Sequence, residues 1–326
     1  MAGEAQSKAA VLAAMAANAG IAVAKGIAGL LSGSASMLAE AGHSVADTVN
    51  QVFLLIGINL SDTKADEAHP HGYGKEGFFW SFLAAIFIFV AGATFSFYEG
   101  GRTLIESHEH DRSEFEVILS FAVLGSAFLF EAFSFSIAIR AIGKGARAKN
   151  WGFGRYLRES NDTTTKTVFF EDSAALTGLA LAASGLGLSE LTGNEAWDGI
   201  ASLAIGVVLA LVALMLGVQS RRLLLGASAH EDTVAAIKAT VGSFPEVENI
   251  VRILTMQIGQ HSILVTGELQ VQAGLTLDQA ESLLQRIDSR LNEEVPEVAN
   301  TFWELRREPD RDKVLGPEPT TDDAAG

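Results

Sequence analysis

Six long apolar runs dominate the first two thirds of the chain, at approximately Ala9 to Leu31, Ala35 to Leu60, Gly77 to Tyr98, Phe115 to Ile142, Val168 to Leu191 and Trp197 to Val218. The hydrocarbon core of a bilayer is about 30 Å thick, so about 20 consecutive apolar residues make one helical crossing. Every run meets that length, and the pattern predicts an α-helical membrane protein with six transmembrane helices. After Arg222 the pattern changes. A helix near Asp232 to Ser243 is closed by Pro245, and two alternating runs follow at Ile250 to Ile258 and Ser262 to Val271. In the second run Ile263, Val265, Leu269 and Val271 share one face, the period of a strand. Thr276 and Gln279 have capping-box spacing, and Ala280, Leu283, Leu284, Ile287 and Leu291 then recur at helical spacing. A last strand is expected at Asn300 to Leu305. The order αββαβ predicts a small ferredoxin-like α+β domain with both helices on one face of its sheet. The expected organisation is therefore a membrane unit over 1–222, an α+β unit over 223–308 and a tail over 309–326, rich in Pro, Asp and Thr and read as disordered.

Basic residues sort the connecting segments, because Lys and Arg near helix ends prefer the cytoplasmic side. Lys144, Arg147, Lys149, Arg155 and Arg158 join the fourth and fifth runs, and the sixth ends at Arg221 and Arg222. The loops at the other ends are short or acidic, as at Ser32 to Ser34 and Glu190 to Glu195. Both termini are expected in the cytoplasm. Met1 to Lys8 contains Glu4 and shows no cleavable leader pattern, which, without large loop insertions, points to a prokaryotic plasma membrane.

Composition narrows the chemistry. Of the 326 residues 48% are hydrophobic and only 19% are charged, the balance of an integral membrane protein. There is no cysteine, so any metal must be held by imidazole and carboxylate. A formal charge of −16 with scattered Lys and Arg argues against nucleic acid and suits a protein that handles cations.

Charges inside the apolar runs are the candidate chemistry. His43 and Asp47, in AEAGHSVADTVNQ, lie four residues apart and so project from one helix face. An aspartate at the middle of a membrane helix costs about 2.5 to 3.5 kcal/mol unless it faces a cavity or a partner. The fifth run opens with VFFEDSAALTG and brings Glu171 and Asp172 to membrane depth. If the second and fifth helices are neighbours, His43, Asp47 and Asp172 converge on one tetrahedral ion, with water or Glu171 as the fourth ligand. That donor set suits Zn²⁺, tolerates Co²⁺, Fe²⁺ or Mn²⁺, and is wrong for Cu(I). The competing structural reading has Glu171 or Asp172 capping its helix and His43 hydrogen-bonding a neighbouring helix. Glu131, inside the fourth run, is a candidate for a proton path or for pairing with Lys25 or Arg140. Asp198 reads as a cap at the start of the sixth helix. The loop DEAHPHGYGKE offers Asp66, His69 and His71 as a secondary metal station, or else a turn built by Pro70, Gly72 and Gly74. The group His108, Glu109, His110 and Asp111 has no defining spacing and reads as a solvated loop.

HSVAD in the second run, HPHGYGKEG in the loop, EDSAALTG in the fifth run and the αββαβ ending, in that order, resemble the cation diffusion facilitator family of six-helix metal/proton exchangers. EDSAALTG with Glu131 and the later TGNEAWD is similar to the branch that contains the mitochondrial zinc exporter. The resemblance implies a homodimer that moves a divalent cation out of the cytoplasm through a site on the second and fifth helices. It matches His43, Asp47 and Asp172 to that site and puts Val168 where many members have His or Asp. In the loop it matches Asp66 and His69, with Tyr73 at a further His position. The α+β unit lacks the histidines of members with a regulatory metal pair there, Val251 and Glu304 lying in their neighbourhood, so dimerisation without metal is implied.

Metal binds deprotonated ligands, so metal and protons compete and exchange follows. The expected activity is metal/proton antiport by a bundle rocking around a midplane site. A non-transporting scaffold of the same fold is the alternative. An enzyme is not expected: an intramembrane metallohydrolase would need a HExxH-like signature, and the sequence has none.

Overall fold

The computed structural model describes residues 2–106, 112–148, 151–159, 163–259 and 262–306. The His108 to Asp111 group and the tail at 309–326 lie outside them. The chain divides into two compact units, Met1–Leu225 and Gly226–Gly326.

The first unit is helical: α1 (Ala2–Ser32), α2 (Ala35–Ser61), α3 (Glu76–Phe87), α4 (Thr94–Glu106), α5 (Glu114–Ala148), α6 (Phe153–Glu159), α7 (Thr163–Thr192) and α8 (Ala196–Leu224). A π-helical stretch, Ile88–Ala93, joins α3 and α4 into one rod. Among the described residues four segments are long and apolar enough to cross a bilayer: Glu76–Glu106, Glu114–Ala148, Val168–Thr192 and Ala196–Leu224. They correspond to the third to sixth of the expected crossings. In α1 the described apolar helix, Asn18–Ser32, is shorter. Helix α2 has the length, 27 residues, but Glu40, His43, Ser44, Asp47 and Asn50 dilute its hydropathy.

The bundle is apolar outside as well as inside. On α8, Leu211 and Leu214 are 61% and 64% exposed, an outward stripe that only a lipid-facing helix carries comfortably. Inside, Ala28, Met37, Ala39, Ala93, Leu124, Ala127, Leu179, Ala182, Leu186, Ile205 and Leu209 form one core. Small residues let the backbones approach. A Cβ on Gly100 would lie 2.7 Å from the Gly199 carbonyl, so α4 and α8 touch backbone to backbone there.

One end of the bundle is tied by a buried guanidinium. Arg112 Nε donates to the Ser32 carbonyl at 2.6 Å, and Nη1 donates to Ser189 Oγ at 3.2 Å and Glu190 Oε1 at 3.0 Å. Its Nη2 lies 3.7 Å from Asp198 Oδ2. Asp198 in turn accepts from the Ala35 amide at 2.6 Å, from Ser34 Oγ at 2.9 Å and from Ser36 Oγ. The aspartate read as a cap on its own helix therefore caps α2, across the bundle. At the α8 N-terminus Glu195 makes no capping bond, and the Ala196 amide donates to Asn194 Oδ1 at 3.0 Å.

The second unit runs α9 (Glu231–Gly242), β1 (Val247–Gly259), β2 (Ser262–Val271), α10 (Leu277–Glu294) and β3 (Val298–Arg306). The sheet order is β1-β2-β3, with β1 antiparallel and β3 parallel to β2. Every second residue of β2 is buried, from Ile263 to Val271, and these meet Ile237 and Val241 of α9 and Leu283, Ile287 and Leu291 of α10 in one core. Both helices share that core face, and the Thr276–Gln279 capping box starts α10. Truncating Ile287, fully buried at the centre of this core, to alanine is expected to destabilise the unit by about 2 to 5 kcal/mol. Chemical denaturation followed by Trp303 fluorescence measures it.

Candidate metal centre

Helix α2 positions the candidate chemistry. Glu40, His43, Asp47 and Asn50 recur at spacings of three and four, so they form one stripe along α2. The opposing helix is α7, and its register is set at two points. At one, Glu40 Oε1 occupies the space that a Cβ on Gly178 would need. At the other, Asn50 Nδ2 donates to Glu171 Oε1 at 2.7 Å. These contacts run antiparallel and bracket His43 and Asp47 against the α7 stretch that begins with Asp172.

His43 is 3% exposed, and its Nε2 lies 3.4 Å from Asp47 Oδ2. That contact lacks hydrogen-bond geometry, and neither ring nitrogen has a hydrogen-bond partner among the described residues. Buried imidazoles are ordinarily satisfied, so an unpartnered one beside a carboxylate calls for a physical reason. Asp172 is buried at 9% exposure and is hydrogen-bonded by Ser134 of α5, but its Oδ2 has no partner. Asn50 ties Glu171 to α2 and Ser134 ties Asp172 to α5, so these two neighbours on α7 connect to two different helices.

Among the described residues no three His, Asp or Glu side chains are close enough to hold one ion together. His43 and Asp47 are paired. Asp172 is held by Ser134 and Glu171 by Asn50. Helix α7 is regular at Glu171, which meets α2 at Asn50, one turn beyond Asp47. Val168 is 38% exposed and adds no donor.

Sequence reasoning missed the charged pair at the other end of the stripe. Lys25 Nζ donates to Glu40 Oε2 at 2.8 Å and to Ser44 Oγ at 2.9 Å. Lys25 was one of two partners offered for Glu131, and it is Glu40 that binds it. Their signal was present, since each is a charge inside an apolar run.

The loop between α2 and α3 folds as a turn around Asp66. Its carboxylate accepts from the His69 amide at 2.7 Å and from the Tyr73 hydroxyl at 2.8 Å. The Tyr73 hydroxyl and the His69 amide hold Asp66 below the usual carboxylate range, and the same bond raises the Tyr73 phenol. The His69 imidazole lies 3.7 Å from Asp66 and 4.1 Å, ring to ring, from Tyr73. A carboxylate lowered on folding stabilises the turn above its unfolded pKa and loses that contribution as pH falls through the lowered value. Asp66→Ala is accordingly expected to speed amide exchange over residues 63–75 at pH 7, and to make little difference at pH 2, in hydrogen-exchange mass spectrometry.

The cation efflux transmembrane domain model matches residues 11–225 and the cation efflux cytoplasmic domain model matches residues 229–302. The chain belongs to the cation efflux, or cation diffusion facilitator, family. It is similar to the mitochondrial proton-coupled zinc antiporter SLC30A9 of Xenopus laevis, 33% identical over 267 residues, 82% of this chain and 47% of that protein. It is similar to metal tolerance protein C4 of Arabidopsis thaliana, 32% identical over 238 residues, 73% of this chain and 51% of that protein. The cation-efflux pump FieF of Shewanella oneidensis is 27% identical over 257 residues, 79% of each. The chain spans about half the length of the antiporter and of the metal tolerance protein. Membership and the four apolar helices make this an integral membrane protein of a transporter family.

Proposed function

We propose that this chain is a divalent-cation carrier that exports Zn²⁺ from the cytoplasm in exchange for protons. The observation that carries the reading is the buried His43 imidazole beside Asp47 on α2, without a hydrogen-bond partner among the described residues. Imidazole nitrogen and carboxylate oxygen suit Zn²⁺ and also accept Mn²⁺, Co²⁺ or Fe²⁺. In this reading His43, Asp47 and Asp172 are the ligands, Glu171 supplies a fourth by leaving Asn50, and Glu131 passes protons to the site. Protons re-enter as the ion leaves, because both need the same lone pairs.

Six crossings, with α1 and α2 completing the four apolar segments, put both termini in the cytoplasm, as the basic segments from Lys144 to Arg158 and at Arg221 and Arg222 favour. The second unit serves as a homodimerisation domain. Its open sheet face supports that role, because Leu254 and Phe302 are 44% and 55% exposed there beside the Arg252–Glu268–Arg306 ion pairs. Asp66, His69 and His71 act as an entry station only when Tyr73 releases Asp66. The scaffold alternative draws on Val168, which leaves α7 one donor short.

The test is purified protein in liposomes carrying a pH dye inside. A Zn²⁺ gradient is expected to drive proton movement in the opposite direction. Zinc-independent proton flux, or none, removes the antiporter reading.

A further inference from the structure

Lys25 and Glu40 are both fully buried, at 0% exposure, and form a 2.8 Å ion pair between α1 and α2. Such a pair is a poor device for stability alone: apolar residues of similar volume are commonly as good or better, because both charges lose their water. Its location suggests another use. Glu40 is one helical turn from His43 on the same stripe of α2. Only its Oε2 is engaged by Lys25, while Oε1 has no hydrogen-bond partner among the described residues and lies over Gly178 of α7, the helix that carries Asp172. Lys25 also bonds Ser44, the residue after His43.

We infer that Lys25 is a tethered counter-cation: by neutralising Glu40 it keeps a further full carboxylate charge away from the site of His43, Asp47, Asp172 and Glu171 and so sets how tightly a divalent cation is held and how readily it leaves. This rests on the carrier reading above. The carboxylates of Asp47, Asp172 and Glu171 already suffice to balance the charge of one divalent ion. An uncompensated Glu40 one turn away would add another negative charge in a region of low dielectric, where Coulomb interactions reach far. The ion would then bind more tightly and be released slowly. An uncompensated Lys25 would do the reverse. Lys25 and Glu40 are thus positioning residues that tune affinity through charge and do not touch the ion.

The experiment measures the KM and maximal rate of Zn²⁺ transport in liposomes, and the Zn²⁺ affinity of the detergent-purified protein by titration, for wild type, Lys25→Met, Glu40→Gln and the double variant. Lys25→Met is expected to lower KM roughly tenfold with a slower maximal rate, and Glu40→Gln to raise KM roughly tenfold. The double variant should return KM to within about threefold of wild type. A purely structural pair would change both single variants in the same direction, or lower the yield of folded protein at unchanged KM, and either result overturns the inference. If one single variant does not fold, the sign of the KM shift in the other and recovery in the double variant still decide it. A wild-type protein that moves no zinc would instead refute the carrier reading.

Discussion

Replacing His43 and Asp47 together by alanine is expected to lower the initial rate of zinc-driven proton exchange by on the order of 100-fold or more. Loss of a hydrogen-bond partner behind a metal ligand already costs 10 to 100-fold, and this change removes two proposed ligands themselves. Stability should move the other way. Neither nitrogen of His43 has a hydrogen-bond partner among the described residues, and Asp47 is largely removed from water, with its side chain 18% exposed. Removing a buried polar group that lacks compensation relieves a desolvation cost. The thermal midpoint of the detergent-solubilised double variant is therefore expected to equal or exceed that of wild type. Lost exchange with an unchanged or raised midpoint marks a functional site. Retained exchange, or loss of exchange together with a lowered midpoint, places the pair in the scaffold of α2.

Asp198→Ala should be the most destabilising single change in the membrane unit. It removes three hydrogen bonds to the start of α2, from the Ala35 amide, Ser34 and Ser36. It also takes one carboxylate from Arg112, whose side chain is only 2% exposed. Breaking one partner of a buried charged network costs about 3 to 5 kcal/mol, because the other charge stays buried. Thermal unfolding in detergent should show a clear fall in midpoint for Asp198→Ala and for Arg112→Ala. Combining the two should cost less than the sum, since the two groups share one network. Full additivity would mean that the groups act independently and that the tie between α1, α2, α7 and α8 is weaker than its geometry.

Residues whose burial is costly were the legible ones. His43, Asp47, Glu131 and Asp172 stood out in the sequence because a charge in an apolar run needs a reason, and all four are buried or half-buried in the first unit. The sheet of the second unit was equally readable, since the alternation in β2 survives intact from Ser262 to Val271. Long-range partners were not readable. Asp198 could be recognised as a cap, but a side chain carries no label for which helix it caps, and its target lies 163 residues away. The pairing of Lys25 with Glu40, the tie made by Arg112 and the reach of Glu171 to Asn50 depend on rotations and registers between helices. The π-helical stretch at Ile88–Ala93 is likewise set by packing: a Cβ on Gly92 there would lie 3.1 Å from Leu209 of α8.

That one divalent ion is shared between α2 and α7 is tested most directly by anomalous diffraction at the zinc edge on crystals grown with Zn²⁺. The account predicts a single strong peak between these helices, about 2.0 to 2.2 Å from a His43 nitrogen and from carboxylate oxygens of Asp47 and Asp172. It predicts that this peak vanishes in Asp172→Ala. Zinc found only at the Asp66 turn or on the surface, with His43 still unpartnered and Asp172 still on Ser134, would contradict it.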